Sequence, residues 1–143
     1  MPHEMLDNLV KARQLHLVSP SEDEVANLIR MGLAKLKDAS HPDISAYTKF
    51  DAAYNAAHAL ALAALWRAGY RSDSRYLVFQ CTQHTLGLEP ENWRVLDRAH
   101  HKRNLAEYEG DIDVEVPLIE ALIRVVEVIA ERVQFSRSDR DAP

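Results

Sequence analysis

The stretch ISAYTKFDAAYNAAHALALAALWRA, residues 44–68, decides the fold class. Its larger apolar residues recur at intervals of three and four, which is the period of an amphipathic helix. The eight alanines from Ala52 to Ala64 favour a helix, and their small side chains let neighbouring helices approach closely. Gly69 follows, and glycine commonly ends helices. We therefore expect a long, central helix here.

The rest of the chain has the same periodicity, and we expect no strand because the alternation and turns of β hairpins are absent. A capping-box pattern at Ser21 and Glu24 marks one helix start, and Pro90 marks another. Together with residues 44–68, the predicted helices cover about residues 4–15, 21–40, 72–86, 90–110 and 114–135. The prediction is an all-α, up-and-down bundle of five to six helices. It forms one domain over residues 1–143, with a core at about 20–135 and a charged, disordered tail at 136–143.

Composition excludes several classes of protein. A chain of 143 residues has no room for a second catalytic domain, and its net charge of −5 argues against a globally basic nucleic-acid binder. Its one cysteine, Cys81, can form neither an internal disulfide nor a cysteine zinc cluster. No apolar run reaches the length of a membrane span, and residues 1–7 lack the features of a secretion signal. We expect a cytoplasmic protein that does not enter membranes.

The most unusual stretch is RVLDRAHHKRNLAEY, residues 94–108, which carries four cations and two adjacent histidines in one predicted helix. At about 100° per residue, His100, Asn104 and Tyr108 share a stripe, and Arg103 lies on its flank. A guanidinium fork beside an amide and a phenol suits a phosphate group. Three more cations of this helix complete the predicted set for phosphate or RNA: Arg94, Arg98 and Lys102.

A plainer interpretation stays open. Arg103 and Glu107, four residues apart, can form an exposed ion pair, while Asn104 and Tyr108 only satisfy neighbouring groups. His58, on the apolar side of the long helix, is then a hydrogen-bonded core residue. Three arginines at intervals of four are expected to be solvated, although they could add a positive rim: Arg67, Arg71 and Arg75.

Metal and nucleophilic chemistry find little support. A helical di-metal site needs two Glu-x-x-His pairs with further carboxylates, and Asp97 with His100 is the nearest approach. Cys81 lies in a predicted buried helix with no cation beside it to lower its pKa. The glycines are isolated, so no phosphate-cradling loop is present. We expect neither a metal site nor a cofactor.

Three segments together resemble the HEPN superfamily: YNAAH at residues 54–58, GYRS at 69–72, and Arg103-Asn104 followed by Tyr108 before a final apolar helix. The likeness covers about residues 39–133. It implies a helical bundle that is usually dimeric and often paired with a minimal nucleotidyltransferase in toxin–antitoxin systems. Active members are metal-independent ribonucleases, whose signature is an arginine followed after four to six residues by a histidine.

Carried over to this sequence, Arg103 takes the arginine position and Tyr108 stands where the histidine belongs. A phenol with a pKa near ~10 is a poor base at pH 7, whereas a histidine titrates near neutrality. His100, one turn before Asn104, is the candidate general base if the chain is catalytic. Whether the protein is an enzyme therefore stays open.

Three hypotheses follow. The first is a HEPN-like homodimer that binds RNA or a nucleotide phosphate, is non-catalytic or weakly active, and can pair with a nucleotidyltransferase in a toxin–antitoxin system. The second is an active ribonuclease that uses His100. The third is a structural scaffold that dimerises or binds a partner through the apolar face of its last helix, which is wider than one packing contact needs.

Overall fold

Six helices and one short strand pair make up the part of the chain that the computed structural model describes: the backbone of residues 4–141 and the side chains of residues 4–135. The elements are α1 (Glu4–Lys11), β1 (His16–Leu17), α2 (Glu22–Ala39), α3 (Ala46–Arg67), β2 (Tyr70–Arg71), α4 (Arg75–Thr85), α5 (Pro90–Glu109) and α6 (Val116–Asp141). The predicted all-α helical bundle is confirmed.

Helix α3 is central, as its alanine-rich sequence predicts. It contacts α2, α4, α5 and α6, and most of its alanines are buried. Gly32 brings α2 especially close, because a Cβ atom at this position would lie 2.5 Å from Cγ of Leu60. The small residues of α2 and α3 thus set the distance between the two helices.

Local signals at the helix ends are confirmed. Ser21 and Glu24 form the capping box of α2, in which the Ser21 hydroxyl accepts from the Glu24 amide at 3.1 Å. Pro90 is the first residue of α5, and Gly110 ends that helix with a φ of 72°.

Cys81 is buried, as predicted, and burial raises the pKa of its thiol to about 11.

The start of the chain differs from the prediction. Helix α1 ends at Lys11, and the chain turns through Arg13 at a φ of 63°. The prediction of no strand is wrong, because β1 pairs antiparallel with β2 and places Leu17 opposite Tyr70. Strands of two residues are too short to show alternation, and their partners lie far apart in sequence. Leu6 and Leu15 join the core although they precede residue 20.

Two other helix ends also differ. Helix α4 begins at Arg75 because the Ser74 hydroxyl caps it by accepting from the Leu77 amide at 3.2 Å. Helix α6 continues to Asp141, where we expected a disordered tail from residue 136. Each added residue extends an existing helix by one hydrogen bond, and neither glycine nor proline interrupts residues 136–141. Residues 142 and 143 lie outside the described part of the chain.

Arg132 ties α6 to the turn between α4 and α5. Its guanidinium donates to the carbonyl oxygens of Leu86 and Gly87 at 3.4 and 3.0 Å and pairs with the Glu89 carboxylate. Because carbonyls at the end of a helix lack partners within it, Arg132 satisfies groups that would otherwise need water. This contact fixes the start of α5, which carries much of the candidate site.

Candidate phosphate-binding site

Three helices bring together a set of polar side chains that we call the α3–α5 cluster. Helix α3 contacts both α4 and α5, and those two helices also contact each other. The members are Tyr54, Asn55 and His58 of α3, Arg75 of α4, and His100, Arg103 and Asn104 of α5. Tyr54 is buried, with 1% of its surface exposed, and the other members are partly exposed. The cluster therefore has a buried base and an edge that solvent reaches.

The sequence places these residues through helical spacing. Asp51, Tyr54, Asn55 and His58 recur at intervals of three and four, so they share one side of α3. Because the Ser74 cap starts α4 at Arg75, this arginine occupies the first turn of that helix. Its guanidinium donates to the Asn55 amide oxygen at 2.9 Å.

A hydrogen-bonded chain runs from the base of the cluster to its edge. The Tyr54 hydroxyl lies 3.0 Å from Nδ1 of His100, and Nδ2 of Asn104 lies 3.3 Å from Nε2 of the same ring. Both ring nitrogens of His100 are therefore engaged within the cluster. If Asn104 donates to Nε2, then Nδ1 carries the proton of the neutral imidazole and donates to Tyr54.

Two guanidinium groups approach the same aromatic ring. Their Cζ atoms lie 4.8 Å, for Arg103, and 5.7 Å, for Arg75, from the centroid of Tyr54, within the range of cation–π attraction. Asp51 pairs with Nε of Arg103 at 3.5 Å. Among the described residues, no other carboxylate forms an ion pair with either arginine. The cluster thus carries an excess of positive charge.

The histidines respond to burial and to these charges. Burial, together with the charges of Arg75 and Arg103, lowers the pKa of His58 to about 4. Burial also lowers the pKa of His100, and the charges of neighbouring cationic groups add to that effect. Since both shifts favour the uncharged ring, both imidazoles are neutral at pH 7.

In Tyr54, burial and the arginine charges have opposite effects on the pKa. Burial raises the pKa of its phenol, while hydrogen bonding and charge from Arg103 and Arg75 offset part of that rise. Both guanidinium groups thus lie near enough to the hydroxyl to stabilise negative charge there. Burial has the larger effect, so the phenol remains protonated at pH 7.

An aromatic wall closes one side of the cluster. The ring centroids of Tyr76 and His100 are 5.2 Å apart, and Trp93 contacts Tyr76 edge to face at 5.6 Å. Phe79 contacts the rings of both His58 and His100 edge to face. These rings exclude water from one side of the histidines, which accounts for the burial that lowers their pKa values.

The structure divides the predicted phosphate-binding set. His100, Arg103 and Asn104 come together, but Tyr108 is 81% exposed and lies outside the cluster. Residues four apart on a helix drift by about 40°, so a stripe that starts at the cluster has turned toward solvent by Tyr108. The prediction that Tyr108 converges with Arg103 and Asn104 is therefore corrected.

The three remaining cations of α5 also lie away from the cluster. Lys102 pairs with Asp111 at 3.0 Å, and Arg94 and Arg98 are exposed. Helical geometry explains the separation, because these three residues lie about 100° to 180° around the helix from Arg103. Their positions do not support the expectation that all the cations of α5 form one surface.

The structure also differs from the plainer interpretation, in which these charged residues form exposed ion pairs or are solvated and His58 is a hydrogen-bonded core residue. Arg103 pairs with Asp51 of another helix and not with Glu107 of its own. Arg75 is not simply solvated but holds Asn55, and Arg67 donates to the Val133 carbonyl oxygen at 2.7 Å. His58 lies at the edge of the core, and within the described residues its ring forms no hydrogen bond.

Sequence reasoning missed Asp51, and it gave Tyr54 and Asn55 no binding role beyond their place in the segment that resembles the HEPN superfamily. A signal was present, since polar residues interrupt the alanine-rich helix at positions that share one side. What the sequence lacked was the partner, because the contacts from α3 to Arg75 and Arg103 join distant parts of the chain.

Chemically, the cluster is suited to an anion. Two guanidinium groups provide forked donors for phosphate or carboxylate oxygens, and Asn104 and the neutral His58 imidazole can supply further hydrogen bonds. Among the side chains of residues 4–135, no group of three or more His, Cys, Asp or Glu residues is arranged to hold a metal ion. The donor set of the cluster itself, dominated by guanidinium groups, also repels cations.

Comparisons with known proteins suggest no function, so we infer function from the geometry of the α3–α5 cluster. No protein-family model, curated protein or solved structure matches the chain. None of the helices in the described part of the chain combines the length and the apolar character needed to cross a membrane.

Proposed function

We propose that this protein is a HEPN-like helical dimer that binds the phosphate of an RNA or a nucleotide at the α3–α5 cluster. The observation that carries the proposal is the approach of Arg75 and Arg103 to one buried ring, with Asp51 the one carboxylate paired with either among the described residues. The negative charge and the oxygen acceptors of a phosphate group complement this excess positive charge and the forked geometry of both donors.

The neutral histidines should couple phosphate binding at the cluster to pH. His58 and His100 lose their protons partly because of the adjacent arginine charges. A bound phosphate offsets those charges and therefore raises both pKa values. By linkage, phosphate binding becomes tighter as the pH falls toward the pKa values of the complex.

Two observations favour binding over catalysis. Tyr108, at the position where the HEPN signature has a histidine, is exposed and outside the cluster. His100 already uses both of its ring nitrogens within the protein, with Tyr54 and Asn104. To act as a general base, this imidazole would first have to exchange one of those hydrogen bonds for a ribose hydroxyl.

Fluorescence anisotropy with a labelled single-stranded RNA oligonucleotide tests the binding site. Arg75→Gln and Arg103→Gln should each weaken binding about tenfold or more, because a charge-assisted hydrogen bond contributes roughly 1.5–3 kcal/mol. Arg98→Gln is the matched control, since it removes an exposed arginine of α5 outside the cluster and should change affinity less than threefold. Equal losses in all three variants would indicate only diffuse charge attraction.

The neutral state of His100 keeps a ribonuclease as the second candidate, because a deprotonated imidazole is the form that accepts a proton. The test is cleavage of RNA in the presence of a metal chelator. Activity that disappears in His100→Ala and survives in His101→Ala would establish catalysis. Absence of cleavage by wild-type protein that still binds the oligonucleotide would leave the non-catalytic function.

The dimer and the nucleotidyltransferase partner belong to the proposal through the HEPN resemblance. Light scattering of the purified chain should give twice the mass of 16.2 kDa. Growth inhibition on expression, relieved by a nucleotidyltransferase encoded in the adjacent gene, would support the toxin–antitoxin role. A monomer that binds RNA would retain the phosphate site and remove the dimer from the proposal.

A further inference from the structure

A second surface shares no residue with the α3–α5 cluster. It is a groove of about 540 Å³ formed by the chain between α5 and α6, the first residue of α3 and the start of α6. We call it the α5–α6 groove. Its apolar lining consists of Ala46, Ile112, Val114 and Leu118. Ile112 is 58% exposed, so this apolar surface is open to solvent.

The same groove is acidic. Asp111, Asp113 and Glu115 line it, and the cation among its lining residues is Lys102. Lys102 is already engaged, because its Nζ pairs with Asp111 at 3.0 Å. Within the part of the chain whose side chains are described, neither Asp113 nor Glu115 forms an ion pair. The apolar surface is thus flanked by two carboxylates that pair with no cation among the described side chains.

We propose that the α5–α6 groove docks a basic amphipathic segment of a different protein. An apolar side chain of that segment lies against Ile112 and Leu118, and flanking lysines or arginines face Asp113 and Glu115. Complementary charge speeds association and selects the partner, while burial of the apolar side chain supplies affinity. A symmetric contact through this groove would bring Asp113 and Glu115 of both copies together, and this local repulsion favours a basic partner over self-association here.

The probe is a fluorescein-labelled peptide of twelve residues in which leucine and lysine alternate, titrated against the full chain. A leucine–glutamate peptide of the same length is the negative control. Amide chemical shifts should change at residues 111–118 when the leucine–lysine peptide binds. Changes confined to other residues, or an equal response to the acidic peptide, would overturn the proposal.

Matched variants distinguish specific peptide binding in this groove from nonspecific attraction of a basic peptide to an acidic protein. Asp113→Asn combined with Glu115→Gln should weaken peptide binding about tenfold, and so should Ile112→Asn, which leaves the charge unchanged. Glu120→Gln combined with Glu127→Gln removes two exposed carboxylates of α6 outside the groove and should change affinity less than twofold. Equal effects of the two charge pairs would refute the assignment.

Self-association is the competing occupant. If groove resonances shift with protein concentration alone and Ile112→Asn abolishes a dimer seen by light scattering, a second copy occupies the groove and the proposal is wrong. Because no residue of the α3–α5 cluster takes part, loss of RNA binding in the arginine variants would leave this proposal standing.

Discussion

The low pKa of His58 predicts an acid sensitivity that a single substitution removes. The folded protein holds this imidazole at a pKa of about 4, against an ordinary value of 6.5. Between those values the unfolded chain binds a proton at His58 that the folded chain does not bind. Stability therefore falls as the pH decreases through this window and is fully present above about pH 7.

The size of the effect follows from the two pKa values. A complete proton difference changes the free energy of unfolding by about 1.4 kcal/mol per pH unit, so the loss between pH 7 and pH 5 reaches about 2 kcal/mol. Because His58 is partly exposed, solvent screening reduces this value, and we expect about 1 to 2 kcal/mol.

Urea unfolding followed by circular dichroism at pH 7 and pH 5 measures the loss. Wild-type protein should lose about 1 to 2 kcal/mol more than His58→Gln does between the two pH values. His84→Gln, a change at an exposed histidine of α4, is the control and should behave like wild type. An NMR titration in which His58 has its midpoint near 6.5, or identical acid sensitivity in His58→Gln, would refute the reasoning.

Three further substitutions test packing and charge. Gly32→Ala places a Cβ atom 2.5 Å from Leu60 Cγ, so thermal unfolding should show a free energy of unfolding about 1–2 kcal/mol lower, despite the higher helix propensity of alanine. An unchanged or higher melting temperature would contradict this packing. Arg132→Met removes donors to the turn between α4 and α5 and should cost about 1–2 kcal/mol by urea unfolding, whereas a neutral result would mean that water replaces them. Asp51→Asn removes the carboxylate that competes for Arg103, so calorimetry should show inorganic phosphate binding several-fold tighter, and weaker binding would place the anion elsewhere.

Features that depend on neighbours in sequence could be predicted. The capping box of Ser21 and Glu24, the start of α5 at Pro90 and the central place of the alanine-rich helix all follow from local spacing, and the structure confirms them. The pairing of Leu17 with Tyr70 could not be predicted, because nothing local marks two residues so far apart as partners.

The candidate site shows the same division. Helical spacing put His100 and Asn104 on one stripe with Arg103 on its flank, and the structure brings these three side chains together. Helical spacing failed to predict the position of Tyr108, because a stripe of four-residue steps drifts around the helix. The contributions of Asp51 and Arg75 depend on how α3, α4 and α5 pack, which the spacing of one helix does not contain.

The most direct test of the phosphate site follows the arginine side chains themselves. In a titration of ¹⁵N-labelled protein with inorganic phosphate, the Nε–H resonances of Arg75 and Arg103 should shift together and saturate, and the His58 pKa should rise from about 4. Arg98, exposed and outside the cluster, should shift little. Equal, non-saturating shifts of all the arginines, or no shift of Arg75 and Arg103, would contradict the assignment of the α3–α5 cluster as an anion site.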